Sequence, residues 1–362
     1  MSDIKPIGVD VRMLGFSGIG TYVRGLLEHF PEPAIKNIIL FGQPLDVQIF
    51  EYRSIPSRDP IYSIREQIRL PRKYTDANLG LLHVPHYNIP WGYRGRMITT
   101  IHDLIHILFP KLLPNKIALY YAHFMMKSAL KKSRFIIADS ENTKQDILRT
   151  FKVSDDKIRV IYPGIHRMFF NQWSKEKIQA TRKHYNLPQK YILYVGNLRL
   201  SKNIPRLIQA FRALRKKIDD IWGLVLVGRN SLPSSYWELN RADGVMVFEN
   251  IPTADLPGIY QGASVFVFPS LYEGFGLPPL EAMASGIPVV SSTGGSLPEV
   301  LGDAACMIDP HDTEALSMSL EKILYDDQMR NSYIAKGSRR ARLFSWDDAA
   351  KKHWNLYLEA LQ

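Results

Sequence analysis

The feature that most constrains this fold is an alternation that runs, stops and restarts. Short β-branched runs, "IGVDVRM" (7–13), "NIILFG" (37–42), "MITTI" (97–101), "RFIIAD" (134–139) and "KIRVIY" (157–162), are separated mostly by segments of helical periodicity. Runs so spaced predict a parallel sheet covered by helices. After "YPGI" (162–165) and a weakly patterned stretch to about 190, the alternation begins again with "YILYVG" (191–196), "GLVLVG" (223–228), "GVMVF" (244–248), "SVFVFP" (264–269), "IPVVSS" (287–292) and "AACMID" (304–309). Helical segments at 313–343 and 347–361, with "FSW" between them, follow. The restart predicts two doubly wound α/β domains in preference to one large sheet, and 362 residues at 46% apolar content suffice for two cores. The expected division is 1–170, 171–343 and a final helix over 344–362 that crosses back to the first domain.

Several classes are disfavoured. No run of eighteen apolar residues occurs, and "MSDIKPIGVDVR" lacks the apolar stretch of a secretory signal, so a cytoplasmic chain is expected. The single cysteine, Cys306 in "DAACMIDP", excludes an internal disulfide and a cysteine-based metal cluster, and reads as a core thiol. The net charge of +11 is lopsided: residues 1–170 carry 24 Lys/Arg against 15 Asp/Glu, the remainder 22 against 20. Such a basic half attracts anionic surfaces or partners. Its charge concentrates in "IREQIRLPRK" (64–73) and "YYAHFMMKSALKKSR" (120–134). The second mixes Tyr120, Tyr121 and Phe124 with Lys127, Lys131 and Lys132, which fits either an interfacial amphipathic helix or an ordinary surface helix. These charges form no known nucleic-acid motif, so a nucleic-acid partner is not expected.

In open parallel sheets ligands bind beyond the carboxyl ends of the strands. After the first strand comes "GFSGIGTYVRGLL", where Gly15, Gly18 and Gly20 precede a helix expected near Thr21. A glycine-rich turn feeding a helix suits a phosphate or an oxyanion, although the spacing matches neither the dinucleotide fingerprint nor a Walker loop. After "MITTI" comes His102, which as a neutral imidazole could meet a bound hydroxyl, with Asp103 orienting it. After "YILYVG", Arg199 and Lys202 precede a helix expected near Asn203, a pair of cations suited to a diphosphate. After "SVFVFP", Glu273 falls on a loop, because Pro278 and Pro279 stop any helix from running through it. The backbone N–H groups of Phe275, Gly276 and Leu277 are candidates to meet an anion there. Glu281 lies on the helix that the prolines open, and a carboxylate accepts two hydrogen bonds from a ribose diol.

The stretch "SLYEGFGLPPLEAMASGIPVVSSTGGSLPEVLGDAA" resembles the signature of the retaining GT-B glycosyltransferases of family 4, which include many bacterial mannosyltransferases of polysaccharide biosynthesis. The likeness extends over almost the whole chain, through "GIGTYVRGLL", "TTIHDLIH", "ADSENTKQDI", "YPGI", "YVGNLRLSKN", "LVGRN", "IPTADLPGIYQGASVFVFPSLYEGFG" and "FSWDDAAKKHW" in that order. It implies two Rossmann-like domains facing each other across a cleft, the first for the acceptor and the second for a nucleotide sugar.

The resemblance also implies roles. Glu273 would contact the donor sugar's hydroxyls, Glu281 the ribose, Lys202 the diphosphate, and Ile251 the base by its backbone. His102 would sit beside the transferred sugar, and Gly18, Ile19 and Gly20 would close over the donor phosphate. Many members carry an arginine where this chain has Asn197, and Arg199 is the candidate to supply that charge. The implied chemistry is retaining hexosyl transfer without metal or other cofactor. "HVPHYNIPW" (83–91) resembles mannosyl and rhamnosyl transferases, which makes GDP-mannose the first choice of donor. A glycan or lipid-linked acceptor would bring the basic half to an anionic membrane surface. The alternative on the same fold is a nucleotide-sugar epimerase or hydrolase, which needs no acceptor.

Overall fold

The computed structural model describes residues 5–112, 115–217, 222–232 and 244–362. Two compact units emerge, Met1–Gly164 together with Ser345–Gln362, and Ile165–Phe344. The first contains strands β1 (Ile7–Asp10), β2 (Ile38–Gly42), β3 (Arg53–Pro56), β4 (Leu81–Val84), β5 (Met97–Ile101), β6 (Phe135–Ala138) and β7 (Ile158–Val160). Its helices are α1 (Ser17–His29), α2 (Glu32–Asn37), α3 (Pro44–Val47), α4 (Ile64–Asp76), α5 (Ile105–Leu108), α6 (Lys116–Lys132) and α7 (Glu141–Thr150). The sheet is parallel with strand order β3-β2-β1-β4-β5-β6-β7, so the winding reverses between β1 and β4.

The second unit runs α8 (Lys175–His184), β8 (Lys190–Val195), α9 (Ile204–Arg215), β9 (Trp222–Val227), β10 (Val245–Phe248), α10 (Leu256–Gly262) and β11 (Val265–Phe268). It continues through α11 (Leu277–Ala284), β12 (Val289–Ser292), α12 (Leu297–Leu301), β13 (Cys306–Ile308), α13 (Thr313–Tyr325) and α14 (Asp327–Ala341). The order β10-β9-β8-β11-β12-β13 is again parallel, with the reversal between β8 and β11. Central strands such as "LVLV" and "VFVF" are buried along their length, as parallel strands covered on both faces must be.

Three expectations shift. The boundary falls at 164 and not 170, because Ile165 and Phe169 are buried in the core of the second unit. Strands β3 and β4 lie outside the expected runs: β3 is a largely exposed edge with a polar sequence, and β4 occupies "LLHV" beside the "HVPHYNIPW" stretch. Cys306, on the edge strand β13, packs against the core of the second unit from its margin and is only partly buried, less enclosed than expected.

The last helix, α15 (Trp346–Leu361), packs its Trp346, Trp354 and Tyr357 into the core of the first unit. Gly25 of α1 makes room for the Trp346 ring, which a Cβ there would meet at 2.2 Å. Burial of each such ring stabilises the unit by about 2 to 3 kcal/mol. Among the described residues no helix is long and apolar enough to cross a membrane.

Candidate active site

In the second unit the site residues gather at the switch point of the sheet. Lys202 follows β8 and Glu273 follows β11, and these two strands are neighbours. Residues 200–202 form a 3-10 turn, and Asn203 takes a left-handed conformation (φ 59°) that starts α9. Asn203 Nδ2 donates to the Pro269 carbonyl at 3.1 Å, and Leu271 N donates to the Ser201 carbonyl at 2.9 Å. These bonds sew the loop after β8 to the loop after β11. The consequence is an ion pair, Lys202 Nζ to Glu273 Oε1 at 2.6 Å, with both side chains mostly shielded from solvent. Arg199 lies exposed at the start of the same turn, and its charge acts on the buried Tyr194 hydroxyl.

A turn over 292–296 braces the Glu273 loop from the other side. Ser296 donates from its backbone N–H (3.0 Å) and its hydroxyl (3.1 Å) to the Glu273 carbonyl, and the hydroxyl also reaches the Phe275 carbonyl at 3.1 Å. Gly295 (φ 64°) permits this approach, since a Cβ there would lie 2.3 Å from Glu273 O. Sequence reasoning gave these residues no role. Their signal was the "TGGS" turn directly after β12, again at a strand end.

Helix α11 opens at Leu277, with Gly276 as its N-cap at φ 100°. Pro278 and Pro279 have no N–H, so Leu277 is the one donor among the first three helical positions, and the helix end offers an anion less than expected. Phe275 turns its ring into the core against Phe344, centroids 5.6 Å apart. Glu281 lies in the second turn, where Tyr260 Oη donates to its Oε2 at 2.9 Å. Burial pushes the Glu281 carboxyl up to about 7, against the pull of the Tyr260 hydrogen bond. Stacked and tilted rings, Tyr194–Phe268, Phe268–Phe266 and Phe266–Tyr260, link the Glu273 end of the sheet to Glu281. Ile251 packs partly buried against the same core. Neither Tyr194 nor Tyr260 is marked out in the sequence, because an aromatic residue within an apolar run carries no distinguishing pattern.

In the first unit His102 stands just beyond β5, but its environment differs from the one expected. Asp139, after β6, meets His102 Nδ1 at 2.5 Å, while Nε2 lies 3.0 Å from the Pro85 carbonyl. Asp103 makes no hydrogen bond to it; its Oδ1 accepts from the backbone N–H of Ile105, the first residue of α5, at 3.0 Å. Both ring nitrogens face acceptors, which selects the imidazolium over the neutral ring. Burial alone would lower the His102 pKa, yet the Asp139 charge and hydrogen bond, with the Pro85 carbonyl, raise it above 6.5. Asp139 Oδ1 remains buried without a partner, aimed at no protein donor.

The glycine-rich stretch is also corrected. Helix α1 begins at Ser17, so Gly18, Ile19 and Gly20 form its first turn and are not a loop before a helix at Thr21. Gly20 is required there, since a Cβ would sit 2.2 Å from the Leu14 carbonyl oxygen. Gly18 is exposed in open space.

Behind His102 lies a buried polar chain whose direction can be worked out from one end. His353 Nδ1 lies 2.7 Å from the Ala349 carbonyl, an obligate acceptor, so Nδ1 carries the proton. His353 Nε2 therefore accepts from Tyr22 Oη (2.6 Å), which accepts from Thr100 Oγ1 (3.0 Å), which accepts from His83 Nε2 (2.8 Å). His83 Nδ1 then accepts from Tyr357 Oη at 2.6 Å. Burial pushes His353 down to about 4 and His83 well below its ordinary value, so both rings are neutral. The Tyr22 ring meets His102 edge-on, centroids 4.8 Å apart. Chain separations of up to 331 residues hid this chain from sequence reasoning.

Comparison with known proteins agrees with this fold. Residues 16–167 match the family model described as Glycosyltransferase Family 4, and residues 176–340 that described as Glycosyl transferases group 1. The chain belongs to the GT-B glycosyltransferases of family 4, and it is a mannosyltransferase-like member. It is 32% identical over 320 residues to the O-antigen chain mannosyltransferase B of Escherichia coli, covering 87% of this chain and 80% of that one. With the O-antigen chain mannosyltransferase RfbU of Salmonella typhimurium it shares 31% over 284 residues, 76% of this chain and 74% of the other. Among solved structures, Anabaena Alr3699/HepE in complex with UDP and glucose superposes with a TM-score of 0.80 at 15% identity, covering 98% of this chain and all of that one (100%).

Proposed function

We propose that this glycosyltransferase moves a hexose, mannose, from a nucleoside-diphosphate sugar, GDP-mannose, to a hydroxyl of a glycan or lipid-linked acceptor, with retention at the anomeric carbon. The observation that carries the reading is the juxtaposition of Lys202 and Glu273 at the β8/β11 switch point, with Glu281 on the next helix. Lys202 and Arg199 meet the diphosphate, Glu273 the sugar hydroxyls, and Glu281 the ribose through Oε1, its other oxygen being held by Tyr260. Ile251 meets the base through its backbone, and the first turns of α11 and α1, with Gly18, Ile19 and Gly20, lie against donor phosphates. His102 lies beside the transferred sugar as a cation.

In the transfer step the acceptor oxygen bonds to the anomeric carbon on the face from which the diphosphate leaves. The anomeric C–O bond breaks towards the phosphate, whose oxygen takes the acceptor's proton. Charge develops on the leaving group, so its stabilisation is the largest contribution the protein can make. No protein nucleophile, metal or cofactor is needed on this reading. A panel of nucleotide sugars tests it: GDP-mannose is expected to raise the melting temperature most. Turnover then persists in EDTA and yields product with the donor's anomeric configuration; an inverted product, or an epimer formed from donor alone, overturns the reading.

The exposed side of α6 favours an additional membrane role. It presents Ile117 (78% exposed), Tyr120 (72%) and Phe124 (52%) among Lys116, Lys127, Lys131 and Lys132. Trp91 extends this surface, its ring 6.3 Å from Phe124 and facing Lys132 at 5.1 Å. The enzyme works as a peripheral protein at an anionic leaflet on the cytoplasmic side, and sedimentation with anionic vesicles, lost in Tyr120→Ser/Phe124→Ser, is the check.

A further inference from the structure

We propose that the first unit holds an oxyanion site of its own, a cavity of about 420 Å³ between the end of β3 and helix α4, which takes a diphosphate or two closely spaced phosphate groups. Arg58, Arg65, Arg69 and Lys73 line it, together with Asp59 and several proline rings. None of these residues belongs to the donor-binding set, all of which but His102 and the first turn of α1 lies in the second unit.

The charges do not balance locally. Asp59 is the only carboxylate in the lining, and it is shared by Lys73 at 3.1 Å and Arg69 at 3.7 Å. Arg58 and Arg65 have no ionic partner among the described residues. Four cations against one acid leave three positive charges around a concave space. Arg65 stands in the first turn of α4, where the helix dipole already disfavours a cation and favours an anion.

Of the four cations Lys73 is held in place, while the three arginines reach outward around the cavity. Lys73 Nζ donates to the Pro56 carbonyl (3.2 Å) as well as to Asp59. Beneath the cavity the buried Arg12 donates to the Asp59 carbonyl at 3.2 Å and to Glu66 Oε2 at 2.8 Å, fixing the loop to the helix. Asp10 and Glu66 together outweigh Arg12 by one negative charge, which reduces the surplus around the cavity from three to two without cancelling it. Arginine forks match the oxygens of phosphate groups, and the volume suits a small ligand. On the transfer reading of the previous subsection, on which this clause rests, the phosphates belong to the acceptor.

The test uses inorganic pyrophosphate and the full chain carrying Lys202→Ala, which weakens the donor's diphosphate site. Calorimetric titration at low ionic strength is expected to show one binding event that weakens at least about tenfold when Arg58, Arg65 and Arg69 are changed to alanine. The three arginines are exposed, so the variant keeps its melting temperature. A titration unchanged by the triple substitution, or no binding before it, overturns the site whether or not the chain transfers a sugar. Competition separates two sources: pyrophosphate that displaces the protein from phosphatidic acid vesicles marks a lipid headgroup, and pyrophosphate that binds without displacing it marks a soluble phosphate ester. Binding to the vesicles with no affinity for pyrophosphate overturns the cavity as the binding element.

Discussion

The ammonium of Lys202 and the carboxylate of Glu273 lie 2.6 Å apart, although 71 residues separate them in the chain. On the proposed function a donor's diphosphate and sugar share or open this pair, and the two side chains then act as one unit. Lys202→Ala is expected to cut turnover by roughly two to three orders of magnitude, the worth of a main cation on a leaving oxyanion. Adding Glu273→Gln should cost less than the product of the single effects, as for residues that act together. Steady-state kinetics on the two singles and the double decide it, and near-normal turnover in Lys202→Ala would falsify the assignment.

Glu281 gives a pH signature. Its carboxyl titrates near 4.5 when unfolded and at about 7 when folded, so the folded state holds the extra proton between these values. Stability therefore falls as pH rises from about 4.5 and levels off above about 7, by an amount on the order of 3 kcal/mol. Glu281→Gln removes this slope. Urea unfolding across that range should show the variant gaining on the wild type as pH rises; parallel curves would contradict the buried carboxyl.

For His102 the sign is reversed. Its folded pKa lies above 6.5, so the stability drawn from the Asp139 pair is present below 6.5 and lost as pH rises through the raised value. Asp139→Asn removes the charge that, together with the Asp139 and Pro85 hydrogen bonds, offsets burial, and the His102 resonance should then titrate below 6.5. Nuclear magnetic resonance of the ring protons reads this directly. An unmoved titration would mean that another group holds the proton.

Tyr22→Phe interrupts the buried chain at its centre. It leaves His353 Nε2 without a donor and Thr100 without an acceptor, both deep in the first unit. The expected loss is about 1 to 3 kcal/mol of unfolding free energy, measurable as a melting temperature lower by several degrees. A variant as stable as the wild type would show that the polar chain contributes nothing net.

Much of this arrangement was legible in the residues. Strand ends placed His102, Lys202 and Glu273 because parallel sheets put ligands there, and the prolines placed Glu273 on a loop and Glu281 on a helix. What escaped was whatever depends on a partner far along the chain. Asp103 stood next to His102 and looked like its orienting acid, yet adjacent residues at a strand end diverge, while Asp139 arrives from the neighbouring strand. Helix α1 starts four residues before the position its glycines predict, because these read as a turn where Gly20 is instead a helical residue pressed against the Leu14 carbonyl. Edge strand β3 lacks the apolar run that announces a buried strand.

The first unit is assembled from two stretches far apart in the chain, Met1–Gly164 and Ser345–Gln362, whereas the second is drawn from one unbroken stretch between them. During synthesis Ile165–Phe344 leaves the ribosome with everything its core requires. The earlier-made half must wait with the seats for Trp346, Trp354 and Tyr357 empty until the closing helix emerges. The portion translated first is thus the last to mature, and for that interval its survival depends on what shields it.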